Sequence, residues 1–346
     1  MNERIYMFGN VYGLDLGTYE IKVFDKKKDV IWKEKNAIAI ANEKEIFSVG
    51  DDAYAMFEKA PYNIEIQFPM LGGVISHFYN MQYLLQNLLK KEHRFTRGSK
   101  YVIAVPTDVT EVEKRAFYDL VVHSTARAKE VRIVERGIAD AIGLELDVQN
   151  EPGLFIANLG AETIELSVLS YGGVVLNKLL KIGSVTIDNA IINSVRNNQE
   201  FLIGKLTAEE LRRSYGISGG KDVDSIKVAG RNLITRVPEQ KNVSEGLVRA
   251  SMKETLDTCV QEINSLLERT PPEVQRTIKN QGIYLTGGLA NLSGIATHIG
   301  HALGIKVHVI DNPELCAVKG LKKIINSKEL MKITYSMLDD NYRWMR

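Results

Sequence analysis

Short apolar runs alternate with amphipathic stretches along this chain, which is the pattern of an α/β protein. Two runs, YGLDLGTYEIKVFD (12–25) and FIANLGAETIEL (155–166), share the layout of a strand, a glycine turn and a second strand, and they start 143 residues apart. Two such similar hairpins predict a chain built from two similar halves.

The segments between and after the hairpins are predicted to alternate between helix and strand. An apolar stripe at steps of three and four predicts an amphipathic helix carrying Val74, Phe78, Met81, Leu85 and Leu88. Buried strands are predicted at YVIAVP (101–106) and VRIVE (131–135). The predicted helix-start signals are the capping pairs Thr110 with Glu113 and Thr207 with Glu210, and the single cap Asp188.

Three further segments extend this pattern toward the C-terminus. A long helix is predicted from about Ser244 to Glu268, and a second one in TPPEVQRTIKNQG (270–282), with prolines in its first turn and Gly282 at its end. IYLTGGLANLSG (283–294) then predicts a strand, a glycine turn and a helix start, a junction that presents backbone N–H groups to an anion or a nucleotide.

Composition narrows the class of protein. The chain has 346 residues with 45% apolar and 25% charged content, enough for two or more domains. Lys and Arg total 44 against 43 for Asp and Glu, which gives no global attraction to nucleic acid. The two cysteines, Cys259 and Cys316, are too few for a disulfide framework, and no signal peptide or membrane span is visible. We therefore expect a cytoplasmic protein without a nucleic-acid partner.

The order of the three glycine turns resembles that of the actin-like ATPases. Asp15-Leu16-Gly17-Thr18 comes first, Gly160 and Thr163 follow, and Thr286-Gly287-Gly288 comes last. Within that superfamily the chain is similar to the MreB/Mrl family of rod shape-determining proteins over about residues 10–325. The segments that carry the resemblance are SVGDDAYAMFEKAPYNIEIQFPMLGGVISHF, YVIAVPTDVTEVEKRA, KIGSVTIDNAIINSVR, IGKLTAEEL, VAGRNLITRVPE and ERTPPEV.

The resemblance implies an actin-like, ribonuclease H-like duplicated α/β fold, with two domains around a nucleotide cleft and a smaller subdomain on each. The domain boundaries it suggests are 1–33 and 74–150 for the first core, 34–73 for its small subdomain, 151–182 and 244–330 for the second core, 183–243 for its small subdomain, and 331–346 for a C-terminal tail.

The resemblance also implies a binding site for ATP with magnesium. The first phosphate loop would be Asp15, on the magnesium side through water, with Gly17, Thr18 and Tyr19; the second would be Gly160, Ala161, Glu162 and Thr163. The adenosine side would be Glu209, Arg212, Gly287, Gly288 and Leu289. Two alternatives stay open: Asp15 is also an ordinary turn residue, and Glu209 with Arg212 also has the spacing of an exposed ion pair.

The second phosphate loop departs from the family pattern Asp-Ile-Gly-Gly-Gly-Thr. Asn158 replaces its Asp, while Ala161 and Glu162 replace two of its glycines. Like charges about 4 Å apart repel by about 1 kcal/mol in water and about 4 kcal/mol at an effective dielectric constant of 20, so Glu162 opposes phosphate. Arg136 stands where the family has the Glu that positions the attacking water, and a guanidinium cannot act as a base.

We therefore expect ATP hydrolysis to be weak or absent. We also expect Arg136 to pair with Glu162 across the cleft or to reach a phosphate, and filaments to form equally well without nucleotide.

The function implied by the resemblance is that of a cytoskeletal filament subunit beneath the membrane that helps to determine cell shape. Its expected partners are further copies of itself in double filaments or a paralogous MreB, the inner membrane surface and cell-wall elongation proteins. Phe95, in the basic segment KKEHRFTRGSK (90–100), occupies the place of a membrane-inserting loop, although a solvated basic loop explains the segment equally well.

The aromatic C-terminal tail, ITYSMLDDNYRWMR, is compatible with a membrane, a partner groove or docking on its own core. The alternative function is that of a nucleotide-driven enzyme on the same fold, such as a sugar kinase or a chaperone-like ATPase.

Overall fold

The computed structural model describes residues 9–92, 98–123, 128–218 and 223–338, and the chain forms two compact units. The first unit consists of Met1–Glu151, Tyr171–Val174 and Leu315–Arg346. The second consists of Pro152–Ser170 and Val175–Glu314.

Ten strands lie in the described part of the first unit. They are β1 (Val11–Leu16), β2 (Glu20–Asp25), β3 (Val30–Lys35), β4 (Ile38–Ala41), β5 (Glu45–Val49), β6 (Ile64–Gln67), β7 (Met70–Leu71), β8 (Val74–Ile75), β9 (Lys100–Val105) and β10 (Glu130–Glu135). Five of them form the main sheet in the order β10-β9-β1-β2-β3, in which β1 runs antiparallel to β2 and parallel to β9. A smaller sheet has the order β5-β4-β6, and β7 pairs with β8.

Four helices of this unit precede residue 151. They are α1 (Asp51–Tyr54), α2 (Phe78–Glu92), α3 (Glu111–Val122) and α4 (Arg136–Gly143). Helix α2 packs on the core through one apolar face, on which Met81, Leu85 and Leu88 are at most 2% exposed. Full burial of each such side chain contributes about 1.5–3 kcal/mol, so this face fixes the helix on the sheet.

The second unit repeats the same strand order. Its strands are β11 (Leu154–Leu159), β12 (Ile164–Ser170), β13 (Gly173–Leu180), β14 (Phe201–Leu202), β15 (Ser225–Asn232), β16 (Pro238–Ser244), β17 (Ile283–Thr286) and β18 (Val307–Val309). The main sheet has the order β13-β12-β11-β17-β18, with β11 antiparallel to β12 and parallel to β17. In both units, therefore, a hairpin leads the sheet and its first strand lies beside a later parallel strand.

Five α-helices lie among the residues of the second unit that the structure describes. They are α5 (Ser184–Gln199), α6 (Lys205–Tyr215), α7 (Glu245–Arg269), α8 (Pro272–Gln281) and α9 (Ile295–Leu303). A 3-10 turn, Gly288–Asn291, follows β17, and another, Pro313–Leu315, follows β18. The sheet and these helices enclose one large apolar core that includes Phe155, Phe201 and Tyr215.

The last two helices return to the first unit. Helix α10 (Cys316–Asn326) packs against α4 and β1, and α11 (Lys328–Met331) follows it. The contact is close enough to require glycine: a Cβ on Gly320 would lie 1.8 Å from the Ala139 carbonyl oxygen, and one on Gly143 would lie 2.1 Å from that of Cys316. Helix α10 therefore lies in the first unit, whereas the boundaries suggested by the family resemblance place residues up to 330 in the second domain.

Several predicted helix boundaries agree with the structure. Thr110 and Glu113 form a complete capping box on α3, Ser244 caps α7, and α8 begins with Pro272 and ends before Gly282. Three other predictions are wrong. Val74 lies in β8 ahead of α2, Asp188 lies inside α5, and α6 begins at Lys205 after Gly204, which places Thr207 within its first turn.

The short tail after α11 completes the edge of the first sheet. Ile133 and Tyr335 exchange both backbone hydrogen bonds, at 2.7 and 3.0 Å, and the side chains of Tyr335 and Met337 pack on the first core. The tail thus contacts its own core through Tyr335 and Met337, while Tyr342 and Trp344 lie outside the described residues. None of the described helices is both long and apolar enough to cross a bilayer.

Candidate functional site

The first glycine turn joins β1 to β2 and is closed by its own backbone. The Gly17 N–H donates to the Glu20 carbonyl at 3.1 Å, and a Cβ on Gly17 would lie 2.8 Å from that oxygen. Buried Asn36 stabilises the turn through two hydrogen bonds. It donates its side-chain amide to the Gly17 carbonyl at 2.8 Å and its backbone N–H to the Tyr19 carbonyl at 3.0 Å. Hydrogen bonds within the protein therefore fix the conformation of the turn that contains Thr18.

Asp15 lies at the end of β1 between two positive charges. Its Oδ2 is 3.5 Å from Lys22 Nζ and its Oδ1 is 3.5 Å from Arg136 Nε. Sheet register explains the first contact, because Asp15 and Lys22 are directly paired across the hairpin. Arg136, the first residue of α4, also donates a hydrogen bond to the Leu16 carbonyl at 3.2 Å. All three charged side chains are buried.

Tyr19 connects the turn to helix α1, which ends at Tyr54. Its ring meets that of Tyr54 edge-on with the centroids 5.6 Å apart, and Lys35 Nζ lies 4.0 Å from the Tyr19 centroid. Lys35 also donates to Glu20 at 2.6 Å. Burial disfavours the Glu20 carboxylate, but the bond from Lys35 and the charges of Lys35, Lys22 and Lys33 outweigh it, and the pKa of Glu20 is lowered.

The second glycine turn, between β11 and β12, has the same closure. The Gly160 N–H donates to the Thr163 carbonyl at 2.8 Å, and a Cβ on Gly160 would lie 2.7 Å from that oxygen. The carbonyls of Gly160 and Ala161 accept the backbone N–H groups of Ser184 and Val185, the first residues of α5, at 3.2 and 2.8 Å. In both turns, then, the N–H of the leading glycine closes the hairpin and is not available to clasp a phosphate.

The third glycine turn lies directly beside the second. Gly287 has a φ of 82°, and a Cβ there would lie 2.5 Å from the Leu159 carbonyl oxygen and 2.8 Å from Asn158 Oδ1. Gly288 is exposed with open space where its Cβ would be, whereas the Leu289 side chain is buried in the core. The structure thus brings together Asn158, the Gly160–Thr163 turn and Gly287; Glu162, at that turn, is half-buried.

Glu209 and Arg212, both on α6, form ion pairs with different partners. Arg212 is buried and donates to both carboxylate oxygens of Asp188, at 2.7 and 3.3 Å. Glu209 accepts from Arg213 at 2.6 Å and lines an open depression of about 410 Å³ on the outside of the helix. Neither interpretation of the Glu209–Arg212 spacing anticipated the Asp188 pair, and contact of Glu209 or Arg212 with an adenosine stays a prediction.

Burial governs the electrostatics of the Asp188–Arg212 pair. Removal from water disfavours the Asp188 carboxylate and raises its pKa, and the hydrogen bonds and charge of Arg212 offset only part of that effect. The pair joins α5 to α6, so its role in the structure is to fix these helices together.

The sequence pattern does not identify Lys22 and Asn36 as residues that contact the candidate site. It predicts Asp188 as a helix cap and not as the partner of Arg212. Lys22 carries the one available signal, a charged residue in the middle of the otherwise apolar run EIKVFD. Phe95 lies outside the described residues. Within the described ranges, no group of three or more His, Cys, Asp or Glu side chains is arranged to hold a metal ion.

Chemically, the first unit offers a rigid turn flanked by two buried cations, and the second offers two adjacent glycine turns with a neutral amide at Asn158. The cations suit an anion, and Gly288 leaves open space beside the third turn, whereas Gly17, Gly160 and Gly287 lie against backbone oxygens of their own unit. The side chain at position 136 is a guanidinium whose Nε lies 3.5 Å from Asp15 Oδ1.

Comparisons with known proteins agree with this architecture. Residues 9–333 match the model of the MreB/Mbl protein family. The cell shape-determining protein MreB of Escherichia coli (strain K12) is 34% identical over 323 residues, covering 91% of this chain and 92% of that protein.

Two solved structures share the actin-like α/β fold. MreB5 of Spiroplasma citri bound to ADP is 24% identical, with a TM-score of 0.87 over 94% of this chain and 97% of that chain. The MamK double helical filament is 18% identical, with a TM-score of 0.77 over 92% and 99%. These likenesses confirm the predicted fold class, and the family match and the sequence identity to E. coli MreB carry the assignment: this chain belongs to the MreB/Mbl family of cell shape-determining proteins.

Proposed function

We propose that this chain is a filament subunit of a bacterial cytoskeleton that determines cell shape. The observation that carries the proposal is the family match over residues 9–333, which includes both five-stranded sheets and all three glycine turns. The subunit is expected to polymerise with copies of itself into double filaments, or alongside a paralogous MreB, in the cytoplasm.

The subunit is further proposed to bind an adenine nucleotide. The MreB5 structure of Spiroplasma citri contains ADP, and this chain has glycine turns at the three predicted positions. Gly17, Thr18 and Tyr19 are proposed for the phosphate side in the first unit, with Gly160, Ala161, Glu162 and Thr163 in the second. The residues proposed for the adenosine side are Glu209, Arg212, Gly287, Gly288 and Leu289.

Hydrolysis of that nucleotide is proposed to be weak or absent. The Arg136 guanidinium is 3.5 Å from Asp15, so the residue at the place of the catalytic Glu neutralises a carboxylate instead of activating water. Asn158 and Glu162 each oppose the binding of magnesium phosphate. A pair between Arg136 and Glu162, which belong to different units, stays a prediction.

Attachment to the inner face of the cell membrane is proposed for the assembled filament. Five basic residues and Phe95 lie within residues 90–100. Each basic residue near an anionic leaflet contributes about 1 kcal/mol, and many subunits in one filament add their contributions. Proteins of cell-wall elongation are the expected partners at that surface.

Electron microscopy and sedimentation of the purified protein on anionic liposomes test this function. Filaments should form with or without ATP, and they should coat anionic but not zwitterionic liposomes. Phe95→Ser should weaken liposome binding and leave filaments intact. If only monomers are found under all these conditions, the chain is not a filament subunit.

A further inference from the structure

We propose that the glycine turn of the first unit binds the phosphates of a nucleotide as a magnesium-free anion, with Lys22 and Arg136 supplying the positive charge that a metal supplies elsewhere. The inference rests on the proposed nucleotide binding and specifies its chemistry.

Asp15 is poorly suited to a magnesium site in this chain. Magnesium is a hard cation that is usually bound through carboxylates and waters. The carboxylate of Asp15 faces a cation on each oxygen, Lys22 Nζ at 3.5 Å and Arg136 Nε at 3.5 Å. A divalent cation near that carboxylate would meet two like charges in a buried setting, where repulsion is screened less than in water.

The same two cations are placed to attract an anion at the turn. Lys22 Nζ lies 3.9 Å from the position that a Cβ on Gly17 would occupy, so the ammonium group is beside the glycine turn. Arg136 donates to the carbonyl of Leu16, the residue just before Gly17. Both are fixed in place, Lys22 by its register opposite Asp15 and Arg136 as the first residue of α4.

The turn also needs no metal to organise it. Its leading N–H is bonded within the turn, and Asn36 holds the carbonyls of Gly17 and Tyr19. A site whose shape and charge are both set by the protein loses little freedom when the anion binds, which favours binding without a co-ligand.

Titration calorimetry with ATP and ADP, in magnesium buffer and in EDTA, tests the inference on the full-length protein. We expect the affinity in EDTA to equal or exceed that in magnesium. Lys22→Met should lower the affinity in EDTA at least tenfold, and Lys22→Arg, which keeps the charge, should retain most of it. Lys33→Met is the matched control, since Lys33 is the half-exposed neighbour paired with Lys22 across β2 and β3, and it should bind like the parent.

Three outcomes would overturn the inference. Binding that requires magnesium contradicts it while leaving nucleotide binding and filament formation intact. An equal loss of affinity in Lys22→Met and Lys33→Met shows that Lys22 has no special role. If the full-length protein is folded by circular dichroism and melting but binds no nucleotide in either buffer, this turn has no nucleotide ligand. Sedimentation of filaments by the same protein would then show that the proposed filament function holds without nucleotide.

Discussion

The Asp188–Arg212 pair leads to a prediction about stability. Arg212→Met leaves a buried carboxylate without its cation and should lower the free energy of unfolding by about 3 kcal/mol, measured by urea denaturation at neutral pH. Arg213→Met is the matched control, because it removes the exposed pair with Glu209 on the same helix and should cost less than about 1 kcal/mol. Equal losses in the two variants would show that burial does not govern the pair.

The difference in free energy of unfolding between the parent and Arg212→Met should depend on pH in one direction. Because the pKa of Asp188 is raised, the folded state binds this proton more readily than the unfolded state, and the group's contribution to stability increases as the pH falls. In Arg212→Met the pKa rises further, so the variant gains more on acidification. The gap between parent and variant should therefore narrow as the pH falls through the raised pKa.

Single residues show what a sequence can and cannot predict about the site. Gly17 and Gly160 were recognisable because each must avoid a backbone oxygen only three residues ahead, which is a local requirement. The role of Lys22 depends on register, since only the pairing of β1 with β2 places it opposite Asp15. The contact between Asp188 and Arg212 joins residues 24 positions apart on two different helices, so no local pattern marks it.

At the scale of elements, the tail segment Thr334–Tyr335 is predicted to stabilise the edge strand β10. Tyr335→Ala should remove a half-buried ring from the first core and loosen the bridge to Ile133, lowering the free energy of unfolding by about 1–3 kcal/mol. Hydrogen exchange should show faster exchange of the Ile133 amide. Tyr335→Phe keeps the ring, loses the hydroxyl bond to Glu135 and should cost about 1 kcal/mol or less.

Unchanged protection of Ile133 in Tyr335→Ala would contradict this account of the tail. A further control is Lys332→Met, which alters an exposed ion pair with Glu329 just before the segment and should leave the Ile133 amide protected.

Helix boundaries were predictable where a side chain marks them. Thr110 with Glu113 closes a capping box within four residues, and the periodic stripe on α2 needs only the helix itself. The start of α6 was misplaced because Gly204 has no side chain to signal a cap, while Thr207 and Glu210 imitate one two residues inside the helix. The bounds of an element are thus predictable when a local side-chain signal marks them. They are misplaced when polar residues inside a helix happen to have the spacing of a capping box.

The whole molecule is predicted to be a poor ATPase whose activity can be restored. The combined change Arg136→Glu, Asn158→Asp, Ala161→Gly and Glu162→Gly returns a base, a carboxylate and two glycines, and it also removes one of the cations held against Asp15. A positioned general base typically contributes 10²–10⁴-fold, so phosphate release should rise at least tenfold over the parent in magnesium. The comparison requires equal amounts of folded protein, verified by melting.

Magnesium-dependent turnover by the parent at the level of E. coli MreB, abolished by Asp15→Ala, would contradict this prediction. The four substitutions are combined in one variant because the effects of substitutions within one site are not additive.

The duplicated architecture was visible in the sequence because each hairpin repeats the same short layout. The return of α10 to the first unit was not, since its contacts with α4 lie far away along the chain and depend on Gly143 and Gly320 fitting against backbone oxygens. Long-range packing of this kind is decided by three-dimensional complementarity, which a linear pattern does not record.

The position of α10 has a consequence for how the protein is made. The first unit includes the chain up to Glu151 and then waits for Cys316, 165 residues later, before its last core helix exists. At about 5–20 residues per second, the ribosome needs roughly 8–33 seconds to deliver that segment. During this interval the apolar sides of α4 and β1 that α10 will cover have no partner helix. The second unit, whose sequence is complete by Glu314, can fold first although it is encoded later.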